Sequence, residues 1–216
     1  MSAFRQTPLF HAHESAGASL IEHHGWHIPD CFTDTQTETQ QLMKSAGLSD
    51  LSWMTKLDLK GYGLKTPPAV TASRAWRLGP QHYLITCEPP ERQGVITALL
   101  SLPASHDLSL PPPIYVTDVS SVYTQFLLAG PRSRDILRKL TSLNVQALEN
   151  LACGQANLAR VHSIVLRDEL QGMPAFHILV GREYGESVWE AVLDAGDEFQ
   201  LTPFGLAAFE MLQGAA

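Results

Sequence analysis

The chain has 216 residues, of which 44% are hydrophobic, and it carries a formal net charge of −7 with no long basic run. A chain of this length can bury a substantial core as one large domain or two small ones, and the composition is that of a globular protein. The acidic balance argues against nucleic acid and against an anionic membrane surface as partners, because both attract clustered Lys and Arg.

Cysteine usage and the amino terminus both indicate the cytoplasm. Cys31, Cys87 and Cys153 lie far apart without a CxxC spacing, which is typical of reduced thiols. No apolar run reaches the roughly 18 residues that a membrane span requires. Met1 to Pro8 lacks the basic start and apolar stretch of a signal peptide, so we predict a cytoplasmic protein.

The first half of the chain, residues 1–110, is predicted to form an α+β lobe. Thr37 and Gln40 form a capping-box pattern, so a helix is expected to begin at Thr37 and to stop at Gly47. Alternating apolar residues from Leu51 to Leu59 then predict one strand with a single buried face.

A hairpin and a helix are predicted to complete this lobe. Ala75–Leu78 and His82–Thr86 flank the turn signal Gly79-Pro80-Gln81. The apolar side of the helix that follows is marked by Val95, Ile96, Leu99 and Leu100. Leu110-Pro111-Pro112-Pro113 is then interpreted as a stiff connector between two halves, since prolines do not fit inside helices or central strands.

The second half, residues 111–216, is predicted to follow the order β-α-β-β-α-β, the split βαβ or ferredoxin-like pattern. The predicted strands are Val122–Ala129, Arg160–Leu166, Ala175–Val180 and Glu198–Leu201, with helices after Gly130-Pro131 and over Tyr184–Leu193 and with Gly172 in a turn. Because the first half partly echoes this order, we predict an α+β fold in which two interlocked ferredoxin-like lobes, 1–110 and 111–216, pack as one body.

Several separated motifs stand out along the chain. They are Thr7-Pro8-Leu9, Gly25-Trp26-His27-Ile28-Pro29, the run from Ser45 to Met54, Asp118-Val119-Ser120, Gly130-Pro131-Arg132-Ser133, and Pro203-Phe204-Gly205-Leu206-Ala207-Ala208. In order and spacing these motifs resemble those of the folate-binding aminomethyltransferases, the glycine-cleavage T-protein family. The resemblance implies a tetrahydrofolate site between the two lobes. It places Met54, Trp53, Tyr83 and His177 in that site, with His177 where the family has a folate-binding glutamate.

The departures from the family pattern concern the catalytic parts. The family carries a catalytic aspartate on a hairpin that corresponds to Lys65–Tyr83, and this segment contains no acidic residue. We therefore leave the catalytic residues unassigned and expect a degenerate enzyme of one-carbon metabolism. The chain stops at Ala216, where the family continues into a C-terminal barrel domain, so we expect that domain to be absent.

A second interpretation is a non-catalytic subunit. Trp76-Arg77-Leu78-Gly79-Pro80 resembles a motif of the gamma subunit of heterotetrameric sarcosine oxidase, in which the fold has a structural role. This interpretation implies a protein partner or self-association. The first interpretation implies a folate-type small molecule.

The remaining polar residues are given structural roles. The N-terminal histidines have no carboxylate or cysteine at ligand spacing, so we predict surface histidines and no metal site at His11, His13, His23, His24 and His27. Asp50 and Asp118 share an aspartate-x-serine context that predicts a turn. Asp168 and Glu169 are interpreted as a solvated turn.

Overall fold

The computed structural model describes residues 4–61, 64, 66–102 and 114–214. The chain divides into two compact units, one formed by Met1–Trp53 together with Tyr123–Ala216 and the other by Met54–Val122. We call them the split unit and the inserted unit. These units differ from the expected halves 1–110 and 111–216, and the expected proline connector lies outside the described residues.

The described residues form strands, helices and short 3₁₀ turns. The strands are β1 (Arg5–Gln6), β2 (Ser19–His23), β3 (Trp26–Cys31), β4 (Gly47–Asp50), β5 (Thr55–Gly61), β6 (Ser73–Gly79), β7 (His82–Cys87), β8 (Ile114–Asp118), β9 (Tyr123–Ala129), β10 (Cys153–Leu158), β11 (Val161–Leu170), β12 (Met173–Gly181) and β13 (Thr202–Pro203). The helices are α1 (Phe10–Ser15), α2 (Thr35–Lys44), α3 (Arg92–Leu100), α4 (Ser133–Leu140), α5 (Gly185–Gly196) and α6 (Leu206–Gly214), with 3₁₀ turns at Pro89–Glu91, Arg182–Tyr184 and Asp197–Phe199.

The split unit is organised around a six-stranded sheet of order β10-β11-β12-β9-β4-β13. Neighbouring strands are antiparallel except for β4 and β13, which run parallel. One face of the sheet packs against α4 and α5 in a core that includes Phe126, Phe176, Ile136 and Trp189. The alternation of side chains along a strand sends the intervening residues, among them His177, to the opposite face.

Two predictions about this sheet need correction. The predicted β-α-β-β-α-β order lacks β10, which pairs with β11 along its whole length. The predicted last strand, Glu198–Leu201, is mostly a 3₁₀ turn, and the strand β13 begins at Thr202. The hairpin of β11 and β12 is confirmed. Gln171 and Gly172 both have positive φ in its turn, as a two-residue type I′ turn requires.

The helix α2 begins and ends earlier than its capping pattern predicts. Asp34, rather than Thr37, is the N-cap, because its carboxylate accepts hydrogen bonds from both the backbone N–H and the hydroxyl of Thr37. The C-cap is Ser45, and Gly47 lies in β4 instead of closing the helix.

A buried carboxylate joins α2 to the segments beside it. Glu38 accepts backbone N–H groups of Phe32 and Thr33 through Oε1 and the N–H of Gly205 through Oε2. The first two donors follow β3, in the three-stranded sheet of order β1-β3-β2, and the third precedes α6. One side chain therefore satisfies three backbone donors from two separate segments.

The strand predicted from Leu51 to Leu59 is confirmed only from Thr55, where β5 begins. Residues 51–54 instead connect β4 to β5, which belong to different sheets. The carboxylate of Asp50 accepts the backbone N–H of Ser52 at 2.9 Å, an arrangement that favours a turn. The turn separates the split unit from the inserted unit at Trp53 and Met54.

The inserted unit contains a four-stranded antiparallel sheet of order β6-β7-β5-β8. Its β6–β7 hairpin confirms the turn predicted at Gly79-Pro80-Gln81. The core of this unit joins Leu57, Tyr83 and Ile85 of the sheet to Val95 and Leu99 of α3. Leu100, expected on the same apolar side, is exposed.

Candidate functional site

The four residues predicted to bind folate are divided between the units. Trp53 and His177 belong to the split unit, and Met54 and Tyr83 belong to the inserted unit. Each pair has its own surroundings, which determine what chemistry it can support.

Trp53 lines a narrow cleft in the split unit. Its indole is 3% exposed and meets the His23 ring edge to face, with ring centroids 4.7 Å apart. The cleft is lined by Ile28, Pro29, Ser49, Asp50, Leu51, Trp53 and Leu206, and it leaves no interior space for a molecule the size of water. Polar groups, among them those of Ser49 and Asp50, line it alongside apolar side chains.

Asp50 is held in place by an imidazole behind the cleft. His13 Nε2 lies 3.1 Å from Asp50 Oδ2, and both side chains are removed from solvent. Burial acts to raise the pKa of Asp50, but hydrogen bonding and charge from His13, with a further bond from Ser52, hold it below its ordinary value. Asp50 is therefore an anion at neutral pH with both oxygens already engaged, which is a positioning role.

His177 belongs to a buried polar network on the sheet face opposite α4 and α5. Its Nδ1 lies 3.2 Å from Gln125 Nε2, and its Nε2 lies 3.2 Å from Asp168 Oδ2. His177 stands opposite Leu127 of β9 and Leu166 of β11, so strand alternation places Gln125 and Asp168 on its own face. The three side chains form one carboxylate–imidazole–amide network.

This network retains one buried acceptor without a hydrogen-bond partner among the described residues. If the Gln125 amide nitrogen donates to Nδ1, then the neutral imidazole carries its proton on Nε2 and donates to Asp168. The amide oxygen of Gln125 is buried and has no hydrogen-bond partner among the described residues. Such an atom calls for an N–H or O–H donor, which a ligand can supply.

The two predicted residues of the inserted unit have less polar surroundings. Met54 is half-buried, and its carbonyl accepts a 2.8 Å hydrogen bond from Nζ of the fully buried Lys56. Tyr83 is fully buried in the core of the unit, and its hydroxyl lies 3.5 Å from the carbonyl oxygen of Leu64.

Some structural roles were assigned correctly and others were not. Asp50 and Asp118 each accept the backbone N–H of the serine two residues on, as their shared context predicts. His13 and Asp168 were expected at the surface and are buried, because each has a polar partner far along the chain or across the sheet. Burial raises the pKa of the Cys153 thiol to about 11, which agrees with an inert cysteine.

The described residues contain neither a metal-binding cluster nor a membrane-spanning helix. Over residues 4–61, 64, 66–102 and 114–214, no three His, Cys, Asp or Glu side chains are grouped in a way that would hold a metal ion. Within the same residues, no helix has the length and apolar character needed to cross a membrane.

Comparison with known proteins identifies the family. The sequence profile of the GCVT N-terminal domain matches residues 72–214. The chain belongs to the GCVT N-terminal domain family. The predicted resemblance to the glycine-cleavage T-protein is thereby confirmed.

Curated relatives of this GCVT-family chain are aminomethyltransferases. The one from Saccharopolyspora erythraea is 29% identical over 245 residues, covering 99% of this chain and 64% of the relative. The one from Halothermothrix orenii is 27% identical over 233 residues, covering 97% and 64%. The chain therefore spans slightly less than two thirds of the length of these relatives.

Two solved structures share the mixed α/β fold. Aminomethyltransferase T of the glycine cleavage system from Bartonella henselae matches 97% of this chain and 62% of its own, with a TM-score of 0.74. A chain of heterotetrameric sarcosine oxidase from Corynebacterium sp. U-96 matches 90% of this chain and 96% of its own, with a TM-score of 0.59. Both are 18% identical to this chain, so the likeness is one of fold.

Proposed function

We propose that this GCVT-family chain binds tetrahydrofolate through the network of Asp168, His177 and Gln125 and has little or no aminomethyltransferase activity. The observation that carries the proposal is the buried Gln125 oxygen with no partner among the described residues, next to a carboxylate and an imidazole. A pterin presents N–H donors along its pyrimidine edge, and such donors match acceptor oxygens.

The network supplies acceptors at the place where the family resemblance assigns a folate-binding glutamate. His177 stands at that place, and Asp168 Oδ2 lies 3.2 Å from its ring. One oxygen of Asp168 also accepts the backbone N–H of Glu169, which fixes the carboxylate. Because a carboxylate oxygen can accept more than one hydrogen bond, pterin N–H donors fit Asp168 as well as the Gln125 oxygen.

The catalytic part of the proposal rests on a missing acid. In the reaction of the family, a carboxylate near the folate nitrogen tunes its protonation and stabilises the positive charge that develops beside it. Lys65–Tyr83 contains no Asp or Glu, and the cations Arg74 and Arg77 of that segment are exposed. The residues of this segment therefore do not supply the acid–base group that this step needs.

Fluorescence titration with tetrahydrofolate under reducing conditions tests binding. Saturable quenching is expected, and His177→Ala should weaken it about tenfold, because a buried ligand donor loses its partner network. His162→Ala is the matched control, since His162 is an exposed histidine on the neighbouring strand β11. No saturable quenching, or equal affinity in His177→Ala, contradicts the folate proposal.

Formation of methylenetetrahydrofolate from an aminomethyl donor tests the catalytic statement separately. A full-length aminomethyltransferase serves as the positive control. We expect turnover at least about a thousandfold below that control, in line with the loss of a positioned acid–base group and its electrostatic stabilisation. Turnover close to the control contradicts degeneracy but leaves folate binding intact.

A subunit of a larger assembly is the second candidate. It is favoured by the match to one chain of heterotetrameric sarcosine oxidase, because the match covers 90% of this chain and 96% of that one, so the two chains are similar in length. Light scattering coupled to size-exclusion chromatography tests it on the natively expressed protein. A complex with a second kind of chain supports the subunit role, and a monomer with no copurifying chain counts against it.

A further inference from the structure

A buried arginine with incomplete hydrogen bonding lies on the helix-covered face of the six-stranded sheet. Arg167 of β11 stands opposite Phe176 of β12 and is 4% exposed, with its Cζ 5.4 Å from the Phe176 ring centroid. Its Nη2 lies 3.3 Å from Glu169 Oε1. Its Nε and Nη1 are buried and have no hydrogen-bond partner among the described residues.

A second arginine with an unsatisfied buried donor acts electrostatically on the first. Arg134, in the first turn of α4, is half-buried, and its Nε also has no partner in the described part of the chain. Burial, and next the charge of Arg134, lower the pKa of the Arg167 guanidinium. Since an arginine side chain stays protonated in proteins, the two groups form a doubly cationic cluster.

The acidic partner of this cluster is weakly held. Glu169 contacts Arg167 through one long hydrogen bond, and its side chain is 48% exposed. Its carboxylate can therefore return to water at little cost, whereas the Arg167 side chain, 5% exposed, cannot. Glu169 therefore occupies a position beside Arg167 from which another anion can displace it.

We propose that Arg134 and Arg167 form a binding site for a phosphate group, which enters by displacing the Glu169 carboxylate. A dianion matches the charge of two guanidinium groups, whereas the Glu169 carboxylate, which hydrogen-bonds Arg167, carries a single negative charge. The oxygens of a tetrahedral group can accept hydrogen bonds from two guanidinium groups on different elements, while one planar carboxylate pairs best with one fork. The start of α4 adds the positive end of a helix dipole.

Calorimetric titration with inorganic phosphate, at constant ionic strength maintained with chloride, tests the site in the full chain. Arg134→Gln should weaken phosphate binding about tenfold or more, because a charge-assisted hydrogen bond is lost. Arg138→Gln is the matched control, an exposed arginine on the same helix, and should leave binding unchanged. Glu169→Gln should tighten binding about fivefold, since the competing carboxylate is removed.

The sign of the Glu169→Gln effect separates this site from a purely structural ion pair. An ion pair alone predicts lower stability and no change in phosphate affinity. Inorganic phosphate and glycerol 3-phosphate are titrated in parallel, and saturable binding of either that depends on Arg134 supports the site. Absence of binding of both, or equal binding in the wild type and Arg134→Gln, overturns the proposal and leaves ordered water as the partner of these donors.

Discussion

The imidazole of His13 lies 3.1 Å from the carboxylate of Asp50, and both side chains are removed from solvent although 37 residues separate them in the sequence. The edges of the His13 ring also contact Phe32 and Trp189. The pair joins the α1 segment to the end of β4 and holds Asp50 at the cleft that Trp53 lines.

Breaking this pair should make the protein markedly less stable at neutral pH. His13→Ala leaves the Asp50 carboxylate buried without its main partner, so the free energy of unfolding should fall by about 3 kcal/mol. Urea unfolding at pH 7 measures it. Asp135→Asn is the control, because its partner Arg132 is more than half exposed and that pair should contribute less than about 1 kcal/mol. Equal effects of the two substitutions contradict the role given to His13.

The same pair makes stability depend on pH on the acid side. The folded-state pKa of Asp50 lies below its ordinary value of 3.8, so its contribution is fully present above that value and is lost as the pH falls through the folded-state pKa. The difference in unfolding free energy between the wild type and Asp50→Asn should stay constant from pH 7 to about 5 and shrink below pH 4. A difference that grows toward low pH contradicts the depressed pKa.

Glu38→Gln should destabilise the split unit by about 2 kcal/mol. In glutamine an NH2 group replaces one of the two carboxylate oxygens. The backbone N–H that this oxygen accepts, that of Thr33 or that of Gly205, is then left without an acceptor. Thermal unfolding followed by circular dichroism measures the loss. Glu14→Gln, at an exposed position, should change the melting temperature by less than one degree.

Two glycines should respond to alanine with opposite signs. Gly130 has φ of +114°, and an added Cβ would lie 2.6 Å from the carbonyl oxygens of Leu42 and Ser45, so Gly130→Ala should cost several kcal/mol, on the order of 3. Gly94 lies inside α3 with open space around it, so Gly94→Ala should stabilise the protein by about 0.5–1 kcal/mol. Denaturant midpoints of the two variants compare them directly, and a tolerated Gly130→Ala would contradict the close backbone packing.

Local patterns predicted much of the fold. The hairpins of β6–β7 and β11–β12 follow from turn residues between apolar segments, and the stripe at Val188, Trp189 and Val192 predicts the buried side of α5. The motif from Ser45 to Met54 points to the family correctly, although half of it was assigned to a single strand. The Asp50–Ser52 turn explains this error, because a side-chain hydrogen bond ends β4 where the apolar alternation continues.

The polar part of the candidate site was harder to predict from the sequence. Aspartate is mostly exposed in proteins and histidine is intermediate, so the burial of Asp168 and His13 depends on partners brought by the fold. His177 was found through the family resemblance, and the pairing of Leu166 with His177 brings Asp168 to its side. The strand assignment Arg160–Leu166 ended two residues too early to include Asp168 on the sheet.

The central claim is that Asp168, His177 and Gln125 bind tetrahydrofolate, and calorimetric titration of tetrahydrofolate into the wild type and Asp168→Asn tests it most directly. The account predicts a saturable 1:1 heat for the wild type and affinity at least about tenfold weaker for Asp168→Asn, because a carboxylate acceptor is replaced by an amide. A wild-type trace without saturable heat, or identical affinities for the two proteins, would contradict it.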